Sequence, residues 1–241
     1  MFAITQLLTR AAQVNAQGLA TRDNDRQQTW SELLNKVRCF AGGLRKLGVD
    51  SDVCAAILAL NSDRYFEFMF AAPWAGGVFQ PINTRLAGPE VVYWLNDSEA
   101  EVLVIDAAFA PLVAQIKDQL EHVRYFVYVD EGEVPAGCIA YSEVIAAAPL
   151  DDSGRCDDDV AGLFYTGGTT GRSKGVMLSH QNLVCNALQA MSMISLKPAD
   201  RILHVAPMFH IADAFVCMMS VSIAGANYFQ PAFDPVATME A

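Results

Sequence analysis

The chain has 241 residues, of which 53% are hydrophobic and 18% charged, a balance typical of packed globular proteins and unlike that of disordered chains. Its formal net charge is -11, from 27 acidic and 16 basic residues, so long-range attraction to nucleic acid or to an anionic membrane surface is disfavoured. Any polyanionic ligand therefore needs a local arrangement of positive charge or backbone amides.

The amino terminus, MFAITQLLTR, does not read as a signal peptide, because Arg10 interrupts a short apolar run that no charged segment precedes. Export is not indicated. Six cysteines are scattered without a CxxC pair, which favours reduced thiols in a cytoplasmic protein.

The first confident element is an amphipathic helix that begins at a capping box of Thr29 and Glu32 and ends at Gly48. The segment 53–60 is nearly all apolar, which suits a strand covered on both faces. A helix over 64–74 follows.

Asn61 and Ser62 offer the cap for that second helix. The same alternation continues with strands predicted at 78–82, 102–105 and 124–129, a helix opened by Gly88 and Pro89, and a helical face from Phe109 to Leu120. Such alternation predicts the α/β class, with doubly wound, mostly parallel sheets and flanking helices.

A run from Asp151 to Asp159 contains five aspartates around Gly154 and is the candidate boundary in the chain. We expect a first α/β subdomain over 1–150 and the start of a second over 151–241. Because no histidine or spaced glutamate accompanies these aspartates, a hydrated loop is favoured over a cation site.

The remaining pattern predicts a strand at 160–165, a glycine-rich loop, a helix capped by Ser179, and further elements up to Phe229. The uncharged stretch 214–229 has 16 residues, fewer than the roughly 20 that a membrane span needs. We therefore expect a buried helix followed by a strand there, and no membrane span.

The most informative segment, LFYTGGTTGRSKGVMLSH, runs from Leu163 to His180. Its glycines can adopt positive φ and bring backbone amides close to phosphate oxygens, while its threonines add hydroxyl donors and its arginine and lysine add positive charge. The candidate phosphate-binding residues are Thr166, Gly167, Gly168, Thr169, Thr170, Gly171, Arg172 and Lys174.

Two other phosphate loops of similar composition do not fit. In the Walker A pattern GxxxxGK[ST], counted from Gly168, Ser173 stands where the second glycine belongs and Gly175 where a magnesium-binding hydroxyl is required. The segment does not spell GxGxxG either. Hydrolysis by an ordinary P-loop enzyme and dinucleotide binding both lose support.

The stretch YTGGTTGRSKG instead resembles the signature loop of the adenylate-forming family, whose usual form is close to YTSGTTGxPKG. Gly167 stands in place of the serine, which removes one hydroxyl contact. Ser173 stands in place of the proline, which leaves the loop less stiff. A flexible hairpin of small residues is the alternative interpretation.

Two more segments extend the resemblance over essentially the whole chain. Residues 80–106 are similar to the family's segment in which proline and asparagine precede an arginine, a helix and a strand ending in aspartate. Asn83 and Arg85 either tie a turn to the sheet there or take part in binding. The segment PMFHIAD, from Pro207 to Asp213, resembles the PxFH segment that precedes a substrate-pocket helix.

The resemblance places His210 near the acyl carboxylate and Asp213 beside the substrate. An Ala-Asp pair at this place also occurs in some acyl-CoA synthetases, which points towards fatty or aromatic acids. His204 has no such support and is expected to be structural. Four apolar residues suit either an acyl pocket or plain core packing, namely Phe209, Phe215, Met218 and Met219.

The resemblance implies ATP-dependent activation of a carboxylic acid as acyl-AMP, followed by thioester formation with coenzyme A. The implied cofactors are ATP, Mg²⁺ and coenzyme A, and the implied catalytic residues are Lys174 and His210. The implied partner is a fatty or aromatic acid, and no residue is assigned as a metal ligand.

Several family segments do not occur in the chain, including the YGxTE and TGD motifs and the carboxy-terminal lid domain. We therefore expect an amino-terminal part that binds nucleotide weakly and turns over little. The alternative is a noncatalytic nucleotide-binding or oligomerisation module, in which an uncovered strand edge would favour a homo-oligomer.

Overall fold

A computed structural model describes residues 1–166, 172–198 and 200–240 of the chain. The helices are α1 (Ile4–Val14), α2 (Trp30–Lys46), α3 (Asp63–Trp74), α4 (Gly88–Asp97), α5 (Ala110–Ile116), α6 (Tyr141–Ile145), α7 (His180–Met191), α8 (Ile211–Ile223) and α9 (Pro235–Glu240). The strands are β1 (Leu19–Asp23), β2 (Arg26–Thr29), β3 (Cys54–Leu58), β4 (Val78–Pro81), β5 (Val102–Ile105), β6 (Tyr125–Tyr128), β7 (Cys138–Ala140), β8 (Val160–Thr166), β9 (Lys174–Ser179), β10 (Arg201–His204) and β11 (Ala226–Phe229).

The larger of two sheets has seven strands in the order β7-β6-β5-β3-β4-β8-β9. Every neighbouring pair from β7 to β8 is parallel. Strands β3, β4 and β5 are buried at every residue, as expected for a parallel sheet covered by helices on both faces. The predicted α/β fold with a mostly parallel sheet and flanking helices is confirmed.

Strand β9 was not predicted, because the sequence pattern was interpreted as a loop that leads directly to the helix at Ser179. The segment Lys174–Ser179 pairs antiparallel with β8. Its first four residues are exposed, so it lacks the apolar alternation that marks a half-buried strand and is held by its backbone ladder. The predicted cap is confirmed, since the Ser179 hydroxyl accepts from the backbone N–H of Asn182 at 3.2 Å.

The smaller sheet has the order β10-β11-β1-β2, and its hairpin β1–β2 was also not predicted. Asn24 lies in the hairpin turn with a φ of 52°, a left-handed conformation that asparagine tolerates. Strand β1 pairs in parallel with β11, where Thr21 lies opposite Asn227. Both sheets thus contain strands from either side of residue 150, and a division into subdomains there stays a prediction.

Helix α3, predicted over 64–74, packs against both sheets. All of its residues except Arg64 are buried. The ring of Phe66 lies 5.7 Å from that of Phe229 in β11, and the ring of Phe68 lies 5.8 Å from that of Phe79 in β4. Burying a phenylalanine contributes about 2–3 kcal/mol, so this aromatic helix fixes the smaller sheet against the larger one.

The stretch 214–229 folds as predicted into a buried helix and a strand, α8 and β11, joined through Ala224 in the left-handed conformation. Within residues 1–166, 172–198 and 200–240, no helix combines the length and apolar character that a bilayer crossing requires.

Candidate functional site

The hairpin of β8 and β9 carries the predicted phosphate loop between its two arms. Thr166 at the end of β8 lies opposite Lys174 at the start of β9, and both residues are exposed. The predicted phosphate contacts Gly167, Gly168, Thr169, Thr170 and Gly171 lie outside the described residues. Of the predicted loop residues, the structure therefore places Thr166, Arg172 and Lys174.

Helix α4 contacts the second arm of the hairpin. The Tyr93 hydroxyl donates to the backbone carbonyl of Ser173 at 3.1 Å. The guanidinium carbon of the exposed Arg172 lies 5.3 Å from the centroid of the Tyr93 ring, within the range of a cation–π contact. Arg172 and Ser173, the two residues that precede Lys174, therefore both contact Tyr93.

The same helix contacts the first arm. The rings of Trp94 and Tyr165 stack with centroids 4.7 Å apart and an interplanar angle of 20°. The Tyr165 hydroxyl donates to Asp97 Oδ2 at 2.6 Å. Burial, together with the Asp97 carboxylate, raises the pKa of Tyr165, so its hydroxyl keeps its proton and remains a donor.

Gly175 leaves room for the Tyr165 ring. A Cβ added at Gly175 would lie 3.2 Å from two carbons of that ring and 2.9 Å from Leu163 Cδ1. Glycine inside a strand often marks such a close approach. In the sequence, Gly175 stands out only as a mismatch to the Walker A pattern, and no local signal indicates this packing role.

The segment that leads into α8 is held by Asn61, which follows β3. The Asn61 amide nitrogen donates to the carbonyls of Ala206 at 2.7 Å and His204 at 3.2 Å. Its side-chain oxygen accepts from the backbone N–H of Met208 at 2.8 Å. Of the two residues predicted to offer the helix cap, Asn61 and Ser62, Ser62 fills that role by accepting from Tyr65 N–H.

His210 is exposed and forms the N-cap of α8. Its Nδ1 accepts from the backbone N–H of Ala212 at 3.2 Å. Because Nδ1 accepts, the neutral imidazole carries its proton on Nε2. His210 therefore has an N–H donor available for an acidic group.

Asp213 lies in a buried network and is only 4% exposed. Its Oδ2 is 2.9 Å from His204 Nδ1, and His204 Nε2 is 2.9 Å from Asn227 Oδ1. Asn227 donates through its amide nitrogen to Ala20 O, so its oxygen faces the imidazole and Nε2 must donate. His204 is structural, as expected, and Asp213 contacts it inside the protein; a direct contact between Asp213 and substrate stays a prediction.

The ligand atoms of His204, Asp213 and Cys217 lie within 4.8 Å of one another, which makes them the candidate metal group of the described residues. The contact between His204 and Asp213 satisfies both groups without an ion. Burial raises the pKa of the Cys217 thiol well above its usual value, and a thiol must lose its proton to bind a metal. We therefore assign these residues to packing.

A cleft of about 120 Å³ opens where β3 and β4 end, next to the segment that carries His210. The carboxyl ends of parallel strands are the usual place for ligands in α/β folds. Asn83 Oδ1 accepts from Arg85 N–H at 2.9 Å, so Asn83 shapes a turn. Side chains that line the cleft include Asn61, Thr84, Arg85, Pro207, Phe209 and Phe233.

The four candidate pocket residues separate into two groups. Met218 and Met219 are buried in the main core, and Phe215 is partly buried and packs against that core. Phe209 lines the cleft. Three of the four therefore contribute to core packing, and a contact between Phe209 and an acyl group stays a prediction.

Comparison with known proteins gives a consistent family assignment. The AMP-binding enzyme family matches residues 8–241. A long-chain-fatty-acid–CoA ligase of Thermus thermophilus is 37% identical over 217 residues, covering 88% of this chain and 39% of that protein. A feruloyl-CoA synthase of Amycolatopsis sp is 34% identical over 233 residues, covering 96% of this chain and 45% of that protein. The chain thus spans less than half the length of these relatives.

Solved structures agree with this match. The anthranilate CoA ligase AuaEII in complex with anthranoyl-AMP superposes with a TM-score of 0.91 at 26% identity, over 99% of this chain and 47% of that chain. The inhibitor-bound N-terminal domain of FACL13 from Mycobacterium tuberculosis gives a TM-score of 0.90 at 29% identity, over 100% of this chain and 60% of that chain.

Proposed function

The chain belongs to the AMP-binding enzyme family, and on this basis we propose that it provides the phosphate-binding part of an acyl-CoA synthetase. The proposed reaction activates a carboxylic acid with ATP and transfers the acyl group to coenzyme A. The observation that carries the proposal is the hairpin of β8 and β9, which holds Thr166 and Lys174 opposite each other at the two ends of the glycine- and threonine-rich segment.

In the first step, a carboxylate oxygen of the acid attacks the α-phosphorus of ATP. The bond from that phosphorus to the oxygen bridging to the β-phosphate breaks, and pyrophosphate leaves with its electrons. In the second step, the sulfur of coenzyme A attacks the acyl carbon, AMP leaves, and the thiol proton passes to solvent. Both steps join or separate anions, so charge stabilisation and positioning dominate catalysis.

The loop would act on the phosphates. Thr166 would donate its hydroxyl to them, as would Thr169 and Thr170, which lie outside the described residues. Lys174 and Arg172 would stabilise negative charge that moves onto the leaving pyrophosphate. The amides of the loop glycines would approach the same oxygens.

Mg²⁺ would neutralise phosphate charge and orient the leaving group. Asp97, a carboxylate that contacts the hairpin, already accepts a hydrogen bond from Tyr165. The site therefore fits a Mg²⁺ that enters bound to the phosphates of ATP, the usual mode for this small and strongly hydrated ion. We assign no side chain of the chain as its ligand.

His210 would orient the acid. Its Nε2–H is suited to donate to a carboxylate oxygen, because Nδ1 is engaged by Ala212 N–H. Asp213 would lie beside the substrate, and its contact with His204 would fix the first turn of α8 there. Relatives named for long-chain fatty acids and for feruloyl-CoA support a fatty or aromatic acid as substrate.

Two measurements test the proposal on the 241-residue chain. Calorimetric titration with Mg-ATP and with inorganic pyrophosphate should show binding that Lys174→Gln weakens about tenfold, in line with loss of a charged hydrogen bond. Lys46→Gln, an exposed lysine at the end of α2, is the matched control. A wild-type chain that binds neither ligand at millimolar concentration would contradict the proposal, and ATP hydrolysis without any acid would favour a P-loop enzyme.

A further inference from the structure

Both arms of the phosphate hairpin contact one short helix, α4. On the first arm, Tyr165 stacks on Trp94 and donates to Asp97. On the second arm, Ser173 accepts from Tyr93, whose ring also contacts Arg172. The loop thus begins and ends at residues that are fixed by the same ten-residue helix, Gly88–Asp97.

Three side chains form this contact surface, which we call the α4 face: Tyr93, Trp94 and Asp97. Residues separated by three or four positions lie on the same side of a helix, so the pairs 93/97 and 94/97 share one side. The α4 face is therefore a single surface that spans the base of the loop.

The helix is itself firmly anchored to the large sheet. Val91 and Leu95 are buried in the cluster that covers this sheet, and Trp94 is 4% exposed. The first turn is capped, because Glu90 accepts from Ala87 N–H at 2.9 Å. Because α4 is packed on the large sheet, its contacts with the two arms fix the hairpin relative to that sheet.

The restraint by Tyr93 falls at a position that lacks the stiffness of the family's proline. Position 173 holds serine in place of the proline of the usual family loop, so the backbone there has an additional free torsion. The hydrogen bond from Tyr93 to the Ser173 carbonyl limits this freedom. Arms that are already held in place lose less entropy when the segment between them binds a ligand.

We propose that Tyr93, Trp94 and Asp97 are positioning residues, which hold the two arms so that the loop amides and Lys174 meet the pyrophosphate portion of a nucleotide. This role rests on the proposed function. The α4 face acts through the loop and makes no contact with the reacting atoms.

The first test measures loop order without any ligand. Trypsin cleaves after Arg172 and after Lys174, so the cleavage rate, followed by mass spectrometry, reports how often the second arm leaves its place. Tyr93→Phe removes only the hydroxyl, and Tyr93→Leu also removes the ring under Arg172. We expect cleavage about fivefold faster for Tyr93→Phe, from the loss of one hydrogen bond, and faster still for Tyr93→Leu.

The second test measures the affinity for inorganic pyrophosphate and Mg-ATP by calorimetry. Tyr93→Phe and Asp97→Ala should each weaken both ligands about fivefold while the thermal unfolding temperature falls by no more than about 2–4 °C. Tyr125→Phe, at an exposed tyrosine of β6, is the matched control and should change neither quantity.

The outcomes separate the two proposals. A wild-type chain that binds pyrophosphate, together with Tyr93 and Asp97 variants that match it in affinity and cleavage rate within twofold, would overturn the positioning role and leave the proposed function standing. A wild-type chain that binds neither ligand would overturn the proposed function and the positioning role with it.

Discussion

Replacing Asn61 tests whether a single buried amide holds the segment that carries His210. Asn61 is 5% exposed and makes three hydrogen bonds, to Ala206 O, His204 O and Met208 N–H, at 2.7, 3.2 and 2.8 Å. Asn61→Ala removes all three hydrogen bonds. It leaves the backbone N–H of Met208 and the carbonyl groups of Ala206 and His204 without this partner. At about 1 kcal/mol for each bond, with unsatisfied groups adding to the cost, we expect a loss of roughly 3–4 kcal/mol in the free energy of unfolding.

Asn61→Asp is a sharper variant, because it keeps the shape and the acceptor for Met208 N–H. The second carboxylate oxygen would replace the amide donor and would face the Ala206 and His204 carbonyls. At pH 8, repulsion between this carboxylate oxygen and the two carbonyl oxygens should make Asn61→Asp at least as unstable as Asn61→Ala. Protonation of the new carboxyl restores one donor, so part of the stability should return at pH 5.

Urea denaturation at both pH values measures these effects. Asn96→Ala is the control, since Asn96 also bonds the backbone, at Gln119 O and Glu121 N–H, but in an exposed place. It should cost no more than about 1 kcal/mol. An Asn61→Asp variant as stable as the wild type at pH 8 would refute the assigned amide orientation and the holding role.

Three more changes have defined outcomes. Gly175→Ala should displace the Tyr165 ring and alter the near-ultraviolet circular dichroism of its aromatic stack, because the added Cβ has only 3.2 Å of room; an unchanged spectrum would argue against this packing. Burial lowers the pKa of His180 to about 4, so between about pH 6.5 and 4 the unfolded chain binds a proton that the folded chain does not. Stability should therefore fall over this range as the pH drops, by up to roughly 3 kcal/mol, and His180→Gln should remove that part of the slope in urea melts. Asp213→Ala should cost about 2 kcal/mol of unfolding free energy, because it leaves the buried Nδ1 of His204 without its hydrogen-bond partner, while a variant with unchanged stability would contradict the buried network.

Elements with local signals were predicted from sequence, and elements defined by distant pairing were not. The capping box of Thr29 and Glu32 and the cap at Ser179 are set by residues three positions apart, so the sequence contains the whole signal. Strand β1 instead depends on β11, with Thr21 opposite Asn227. No period within a short window reveals such a partner. Strand β9 pairs with its chain neighbour β8 and was missed for another reason, since its exposed first residues show no apolar alternation.

The residues of the candidate site also differ in whether a local sequence signal predicts their role. The phosphate loop could be predicted because its glycines and threonines are contiguous, whereas Asn61 and the α4 face act on segments far along the chain. The burial of Asp213 does have a local signal in the sequence. Asp213, Cys217 and Ser220 are spaced as one side of a helix, which fits their burial against His204 and Asn227.

The net charge of -11 and a polyanionic ligand are compatible because charges act locally in salt solution. At physiological ionic strength, screening acts over about 8 Å, so acidic residues far from the hairpin contribute little to the potential there. Arg172 and Lys174 lie within the hairpin itself, and the nearby Asp97 is engaged by the Tyr165 hydroxyl. The α4 face thus places its one carboxylate in a hydrogen bond at the base of the loop, while both cations stay exposed to solvent, where a phosphate would arrive.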